Sequence, residues 1–319
     1  MSFSEQQILP YAAVQAIGPG PVLVLAPHPD DEVFGCGGAL LRHVAAGDRV
    51  RVIILTDGAY GADASGEYPR RRQQESLEAA VVLGYGTPLF WGLPDRGLEY
   101  GEALIRRLLE SIEETAAALV YAPSWREAHP DHSALALAAA EAVRRCRRPL
   151  RLVLYEVGIP LSPNTLLDIT DLLERKRQAM ACFTSQLARQ PYDRQILALN
   201  RFRTYTLPDT VQAAEAYRVL NRDALDTEPP GRFDVQQAGF DRPLDAMARI
   251  LAEREARIAE LEIRLAARER EITERDALLA DTRAQLDEVY RSRSWRLTAA
   301  YRWLGGKFRK ASDANQIND

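Results

Sequence analysis

Cysteine is scarce in this chain of 319 residues, which contains only three. Cys36, Cys146 and Cys182 are an odd number and lie far apart, so the sequence favours neither a disulfide framework nor a zinc site built from cysteines. A disulfide-dependent secreted protein is therefore not expected. The expected compartment is a reducing cytoplasm.

Long hydrophobic runs are also missing. No stretch approaches the roughly 18 consecutive apolar residues that a membrane-spanning helix requires. The first twenty residues lack a basic start followed by an apolar segment, so no secretory signal is expected. Hydrophobic residues make up 46% of the chain and charged residues 27%, which is typical of ordinary globular proteins.

The net charge is only −4, but it is unevenly distributed. Residues 291–319 contain seven Lys/Arg and two Asp/Glu, a local charge of +5 that leaves −9 for the rest of the chain. The acidic remainder gives no reason to expect nucleic acid as a partner. The basic segment is suited to an acidic partner or an anionic surface.

Short β-branched runs alternate with helical patterns from Pro21 to about Glu156. This alternation predicts an α/β fold with a Rossmann-like, mainly parallel sheet flanked by helices. Ligands of such sheets bind beyond the carboxyl ends of the strands. We therefore expect functional residues in the segments that follow the predicted strand ends, which are Ala26, Leu55, Trp91 and Ala122.

The globular pattern ends near residue 226, and residues 227–243 are predicted to form a linker. From Leu244 to Leu286 an apolar residue occupies every seventh place, which predicts a long coiled-coil helix over residues 244–290 and a homo-oligomer. Arg254, Arg268 and Arg275 occupy the weaker seam position, where charged residues restrict register and strand number. The alternative is a single solvated helix stabilised by Glu/Arg pairs four residues apart.

Two polar segments follow predicted strands. One is Pro27-His28-Pro29-Asp30-Asp31-Glu32, and the other is His129-Pro130-Asp131-His132. Three of the four histidines of the chain lie in these segments. Either segment alone is compatible with a turn or a helix cap. Together, after two strands of one parallel sheet, they predict a metal site.

Catalytic zinc takes about three protein ligands and keeps one position for water. His28, Asp31 and His132 supply two imidazoles and a carboxylate, a set that Fe²⁺ or another divalent ion would also accept. Asp30 is then a candidate base that removes a proton from water. His129 is a candidate donor to the developing oxyanion or to the leaving amine.

The paired segments resemble the signature of the LmbE-like, or PIG-L, zinc-dependent N-deacetylases over roughly residues 20 to 220. The resemblance implies the fold of that family for residues 1–226, with zinc on His28, Asp31 and His132 and with Asp30 as general base. It implies that Asp131 orients His129.

The resemblance extends to two further segments. Arg72, in Arg72-Gln73-Gln74-Glu75, is expected to face the substrate, and Asp95, in Gly92-Leu93-Pro94-Asp95, to bind sugar hydroxyls. Two residues depart from the family: Arg96 stands where glycine is frequent, and Pro27 where alanine is frequent. These departures leave the metal ligands intact and affect the expected sugar contacts.

The implied activity is hydrolysis of the N-acetyl group of an N-acetylglucosamine-type conjugate, in the context of cell-surface glycan or glycolipid assembly. One alternative is a thiol precursor or a glycosylated natural product as the substrate. Another is a catalytically inactive coiled-coil scaffold that binds a sugar without turning it over.

The segment Ser292-Arg293-Ser294-Trp295-Arg296-Leu297-Thr298 resembles a tail found at coiled-coil ends in bacterial glycosyltransferases and polysaccharide-assembly proteins. Apolar residues at helical spacing among basic ones are typical of a helix that lies in a membrane interface. Residues 291–319 are therefore predicted to bind the inner face of the membrane, or a glycan-assembly partner. The alternative is an end that packs on a neighbour or has no fixed structure.

Overall fold

The computed structural model describes residues 9–59, 66–227, 241–299 and 301–302. Within the long C-terminal helix it describes the side chains of Arg254 and of residues 257 onward. The chain divides into two units, Met1–Ile250 and Leu251–Asp319.

Eight strands of the described residues form one sheet in the spatial order β1-β7-β8-β6-β5-β2-β3-β4. Strand β8 is antiparallel to its neighbours β6 and β7, and the other pairs are parallel. The predicted mainly parallel sheet is therefore confirmed. The strands are β1 Ala13–Val14, β2 Val22–Ala26, β3 Val50–Thr56, β4 Leu89–Leu93, β5 Leu119–Pro123, β6 Arg151–Tyr155, β7 Thr165–Asp168 and β8 Ala214–Leu220.

Helices cover both faces of this sheet. The α-helices up to residue 227 are α1 Asp31–Ala45, α2 Glu67–Leu83, α3 Glu102–Thr115, α4 Pro130–Arg145, α5 Leu173–Ala181, α6 Thr184–Leu187, α7 Tyr192–Phe202 and α8 Arg222–Thr227. Helix α1 begins at Asp31, so Asp31 and Glu32 lie in its first turn. Carboxylates are favoured in a first helical turn, where the backbone N–H groups are free.

Strand residues alternate between two hydrophobic cores. On β2, Val22 and Val24 pack in the core formed with α1, α2, α5 and α7, whereas Leu23 and Leu25 pack in the core formed with α3, α4 and α8. This alternation follows from the two-residue period of a strand. Because both faces are covered, all five residues of β2 are buried. The result is a three-layer arrangement with the sheet in the middle.

The long C-terminal helix α9 spans Asp241–Arg291, close to the predicted 244–290, and is followed by α10, Arg293–Leu297. At about 1.5 Å per residue it is about 75 Å long. Most of the predicted linker 227–243 lies outside the described residues. Among the described helices, none combines the length and apolar character needed to span a membrane.

Candidate active site

A cavity of about 520 Å³ opens beyond the carboxyl ends of β2 and β5, where the sequence places the site. Seven of the eight predicted site residues line this cavity: His28, Asp30, Asp31, Arg72, Asp95, His129 and His132. The eighth, Asp131, is fully buried, and its carboxylate contacts Nε2 of His28.

The three predicted metal ligands converge on one point. Nδ1 of His28 lies 3.1 Å from Oδ2 of Asp31 and 3.2 Å from Nε2 of His132, and that Nε2 lies 3.1 Å from the same Asp31 oxygen. Ligand atoms at about 2.0–2.2 Å from a zinc ion are separated by a little over 3 Å. The triangle therefore fits the donor set of a catalytic metal.

The electrostatics also favour a cation at this point. Burial opposes a charge on His28, but contacts with Asp131, Asp31 and Asp95 raise its pKa well above the usual value. Burial also acts against the charged form of Asp31, yet the nearby imidazoles hold the pKa of Asp31 well below its usual range. Positive charge is thus stabilised between these side chains.

Two other groups of potential ligands share His28. His28, His129 and His132 form one, and His28, Asp95, His129 and Asp131 form the other, with donor atoms within 4.8 Å of one another. The second group is less suited to a metal because the Asp131 carboxylate is already bonded to backbone N–H groups. The triangle of His28, Asp31 and His132 is tighter than either.

The Asp131 carboxylate holds His28 in place. Its Oδ2 lies 3.2 Å from Nε2 of His28 and accepts the Arg96 N–H at 2.7 Å, and its Oδ1 accepts the Leu98 N–H at 3.1 Å. Metal-binding histidines usually donate their second ring nitrogen to such a carboxylate, which fixes ring and tautomer. The expected contact with His129 is made by the Asp131 backbone, because the carboxylate is 4.0 Å from that ring.

Asp30 has a strained backbone. Its φ of 132° and ψ of −31° lie in a region that residues with a side chain rarely adopt. Such conformations cost about 1–3 kcal/mol and persist where the surroundings enforce them. The Arg72 guanidinium does so by donating to Oδ2 of Asp30 at 2.9 Å and to the carbonyls of Pro29 and Gly58 at 2.5 and 2.9 Å.

This geometry gives Arg72 a role that the sequence did not indicate. The side chain is buried and its guanidinium is used mainly to hold Asp30 and two loops, although it also lines the cavity. The expected contact of Arg72 with substrate remains a prediction. Gly58 is required here, because a Cβ at this residue would lie 2.1 Å from Nη1 of Arg72.

Asp30, the predicted general base, has an unusually high pKa. Burial raises its pKa to about 7, against the opposing charge of Arg72. A base with a pKa near 7 is half-deprotonated at neutral pH and still accepts a proton readily. Its neighbour Glu32 is buried more completely, and burial raises the pKa of that group to about 8. One oxygen of Glu32 accepts the Asp30 N–H at 3.0 Å.

His129 is a neutral imidazole in this site. Burial, followed by the charges of His28 and His132, lowers its pKa to about 4. Its Nδ1 accepts the Asp131 N–H at 3.2 Å, so the ring proton resides on Nε2. Nε2 lies 3.7 Å from the Asp95 carboxylate, which also approaches His28 at 3.4 Å.

Glu127 was missed by sequence reasoning. Its carboxylate accepts the N–H groups of Val157, Gly158 and Ile159 at 2.7–3.3 Å, which fixes a loop that lines the cavity. It also lies 3.9 Å from Nδ1 of His132, a buried nitrogen without a hydrogen bond. The position of Glu127 two residues before His129 could have indicated a place near the site. Its hydrogen-bond partners, however, follow strand β6, which no local pattern around Glu127 indicates.

Arg96 adopts a left-handed backbone conformation, with φ of 60°. Glycine tolerates this conformation without cost, which explains why the resembled family often has glycine here. The departure therefore leaves the turn intact and places a larger side chain on the cavity wall. Phe34, Gln186, Arg189 and Tyr192 form another part of that wall.

Two imidazoles and a carboxylate, with a carboxyl group of pKa about 7 beside them, are compatible with the site of a hydrolase that uses a metal. Comparison with known proteins identifies the family. Residues 23–143 match the family model described as PIG-L, GlcNAc-PI de-N-acetylase. The chain is also 30% identical over 185 residues to diacetylchitobiose deacetylase of Thermococcus kodakarensis, covering 52% of this chain and 69% of that protein.

Two further proteins are similar. The probable N-acetyl-alpha-D-glucosaminyl L-malate deacetylase 2 of Bacillus anthracis is 28% identical over 188 residues, covering 52% of this chain and 81% of that protein. The crystal structure of a conserved protein from Thermus thermophilus has a TM-score of 0.54 and 29% identity, over 62% of this chain and 93% of that one. The chain belongs to the PIG-L family of deacetylases, and the predicted enzyme class is confirmed.

Arg72→Lys is expected to lower the free energy of unfolding by about 1–3 kcal/mol, because a lysine ammonium cannot bond to all three acceptors and leaves buried groups unpaired. Denaturant unfolding of the purified variant measures this. Arg71→Lys is the matched control, since the neighbouring side chain is 58% exposed. Equal stability of the two variants would show that Arg72 does not brace Asp30.

Proposed function

We propose that this protein hydrolyses the N-acetyl group of an N-acetylglucosamine-type sugar conjugate. The observation that carries the proposal is the convergence of His28, Asp31 and His132 within 3.1–3.2 Å, with Asp30 beside them, in an open cavity. The substrate class is supported by the names of the relatives, which act on diacetylchitobiose and N-acetylglucosaminyl malate.

We propose Zn²⁺ as the metal, held by His28, Asp31 and His132. The mixture of imidazole and carboxylate ligands is typical of catalytic zinc and also suits Fe²⁺. A bound divalent ion polarises an amide carbonyl and lowers the pKa of water. Asp131, at 3.2 Å from Nε2 of His28, supplies an outer carboxylate that orients such a ligand, and the Glu127 carboxylate lies 3.9 Å from Nδ1 of His132.

Two residues beside the proposed metal site have separate roles in proton transfer and hydrogen bonding. Asp30 accepts the proton of the attacking water, for which its pKa of about 7 is suited. His129, neutral with its proton on Nε2, donates a hydrogen bond to the oxyanion that develops on the amide carbonyl. This favours the oxyanion role of His129 over donation to the leaving amine. The Asp30 proton is then available to the amine.

The cavity wall suits a sugar conjugate. Phe34 and Tyr192 provide aromatic surface, with ring centroids 6.5 Å apart, and Asp95 lies beside His28 and His129. We propose that Asp95 and Arg72 contact the sugar, as the resemblance implies. The context of cell-surface glycan or glycolipid assembly remains part of the proposal, as does action in the cytoplasm.

We propose that α9 forms a coiled coil with a second copy of the chain. The first seam positions of its described part, Ile258, Leu265, Ile272, Leu279 and Leu286, are between 49% and 66% exposed on the single helix. Leu261 and Val289, at the second seam position, are about half exposed. Burying these faces against an identical helix removes this apolar surface from water.

The charges beside the seam favour a parallel arrangement. In parallel helices in register, Arg257 faces Glu262 of the second copy and Arg264 faces Glu269, although Glu271 also faces Asp276. In antiparallel helices the acidic positions Glu262, Glu269 and Asp276 face one another. Ion pairs within the helix, such as Glu271 with Arg275 four residues later at 3.3 Å, support the alternative of a single solvated helix.

We propose that the basic segment 291–319 binds an anionic membrane surface or a glycan-assembly partner. Helix α10 is capped by Ser292, whose hydroxyl accepts the Trp295 N–H at 3.2 Å. The Arg302 guanidinium lies 3.5 Å from the centre of the Trp295 ring. Leu297 and Tyr301 are about 80% exposed. Residues 303–319 lie outside the described part of the chain.

Asp30→Ala is expected to keep bound zinc and to lower turnover by about 10²–10⁴-fold, the contribution of a general base. His132→Ala is expected to lose zinc and activity together. The measurements are metal content and acetate release from diacetylchitobiose and N-acetylglucosaminyl malate. His43→Gln, which alters the one histidine outside the cluster, should keep its zinc. Sugar binding without acetate release by the zinc-loaded protein would favour the inactive scaffold.

Charge exchange tests the parallel coiled coil. Arg257→Glu/Arg264→Glu and Glu262→Arg/Glu269→Arg should each weaken self-association at least tenfold, because like charges then face one another. Mixing the two variants should restore a species of twice the chain mass of 35.7 kDa. Sedimentation velocity measures this, with outward-facing Arg270→Glu as control. A wild-type monomer at micromolar concentration would favour the solvated helix.

Removal of residues 292–319 is expected to abolish sedimentation with anionic vesicles, since both the basic charge and the exposed apolar residues of the tail are lost. Vesicles of phosphatidylglycerol are compared with vesicles of phosphatidylcholine. Leu297→Ser/Tyr301→Ser in the full chain should give an intermediate result. Equal partitioning of the full and shortened chains excludes the membrane role.

A further inference from the structure

Helix α1 is broken between its two halves. Cys36 has φ of −143° and ψ of 26°, outside the helical range, and its thiol donates to the Glu32 carbonyl at 3.1 Å. Three glycines surround the break. A Cβ on Gly35 would lie 2.2 Å from the Tyr155 ring, and one on Gly38 would lie 2.4 Å from Ile169, so the backbone is packed directly against its neighbours.

A buried ion pair takes the place of a helical hydrogen bond at this break. In an unbroken helix the Gly38 N–H donates to the Phe34 carbonyl four residues earlier. Here the Phe34 carbonyl accepts from Nζ of Lys176 at 3.0 Å, and the Gly38 N–H donates to Oε1 of Glu215 at 2.7 Å. Lys176 and Glu215 are themselves 2.7 Å apart and almost fully buried.

Every polar atom of the Lys176 and Glu215 side chains has a hydrogen-bond partner. The Lys176 ammonium makes three hydrogen bonds, to Phe34, to Glu215 and to Oδ1 of Asn200 at 3.1 Å. The Glu215 carboxylate accepts from Lys176 and from the Gly38 N–H, and also from the Ala39 N–H at 2.8 Å and the Tyr217 hydroxyl at 2.6 Å. A fully connected network of this kind specifies one geometry.

Stability alone does not account for such a pair. Replacing a buried ion pair by apolar residues of similar volume is often neutral or stabilising, because both charges must be desolvated. The geometry that this pair specifies is the direction of the first half of α1. That half carries Asp31, a proposed metal ligand, Glu32, which holds the Asp30 N–H, and Phe34, on the cavity wall.

We propose that Lys176 and Glu215 are positioning residues, whose ion pair, inserted between the Phe34 carbonyl and the Gly38 amide, aims the first turn of α1 at the metal site. Lys176 lies on α5 and Glu215 on β8, so the pair ties the site to two elements that supply no ligand to it. This inference rests on the proposed metal ligands. Without the pair, α1 can re-form its own hydrogen bond and move Asp31 away from His28 and His132.

The test is the zinc affinity of Lys176→Met/Glu215→Leu in the full chain, measured by competition with a chromophoric chelator while circular dichroism shows that the protein is folded. We expect the dissociation constant for zinc to rise at least tenfold, because the loss of residues that hold a metal ligand in position weakens metal binding by this amount. The matched control is Arg203→Met/Glu156→Leu, which removes a buried ion pair whose other hydrogen bonds go to the Leu161 backbone rather than to α1. Its zinc affinity should stay within twofold of wild type.

A double variant that binds zinc as tightly as wild type overturns the proposal, even if its melting temperature falls, because it would show that the pair contributes only to stability. If the double variant does not fold, Glu215→Asp decides. It keeps both charges but is one methylene too short to reach Lys176 and both amides, so unchanged zinc affinity there overturns the proposal as well. A wild-type chain that binds no zinc would instead contradict the proposed metal site.

Discussion

Burial of negative charge is the constraint on which this site depends. Within the described residues, six carboxyl groups lie buried around His28: Asp30, Asp31, Glu32, Asp95, Glu127 and Asp131. An isolated carboxylate transferred from water into a protein interior is strongly destabilised, so each group must be paired, hydrogen-bonded or protonated. The histidines, Arg72 and the backbone amides that point into the cluster meet this requirement, and the cation proposed for His28, Asp31 and His132 would meet it too.

The buried carboxyl groups differ in the partners that stabilise their negative charge, and these partners determine what each group can do chemically. Asp131 and Glu127 accept two or more backbone N–H groups and act as fixed acceptors. Asp31 faces two imidazoles, which keep it ionised as a ligand requires. The negative charge of Asp30 is stabilised mainly by Arg72. Because the effect of burial is larger than that of Arg72, the pKa of Asp30 rises to about 7. The group with the least compensation that still remains accessible is therefore the one suited to exchange a proton.

The sequence was sufficient for features that depend on short segments. The β-branched runs predicted the strands, and the fixed rule that ligands gather at the carboxyl ends of parallel strands brought His28 and His132 together. It was insufficient where a role depends on contacts between distant segments. Arg72 braces Asp30 from 42 residues away, and Glu127 caps a loop some 30 residues further on. The insertion of Lys176 into α1 has no signal in any short segment, because it depends on the fold of three elements.

The two bonds from Asp131 to the Arg96 and Leu98 amides have a mechanical consequence. They fasten the turn after β4 to the start of α4, on which His132 lies, so this turn cannot swing outward without disturbing a proposed metal ligand. The part of the cavity wall formed by this turn is therefore held in a fixed position. We therefore expect any bulky group attached to the proposed sugar to be accommodated at another part of the cavity wall, around Arg189 and Tyr192.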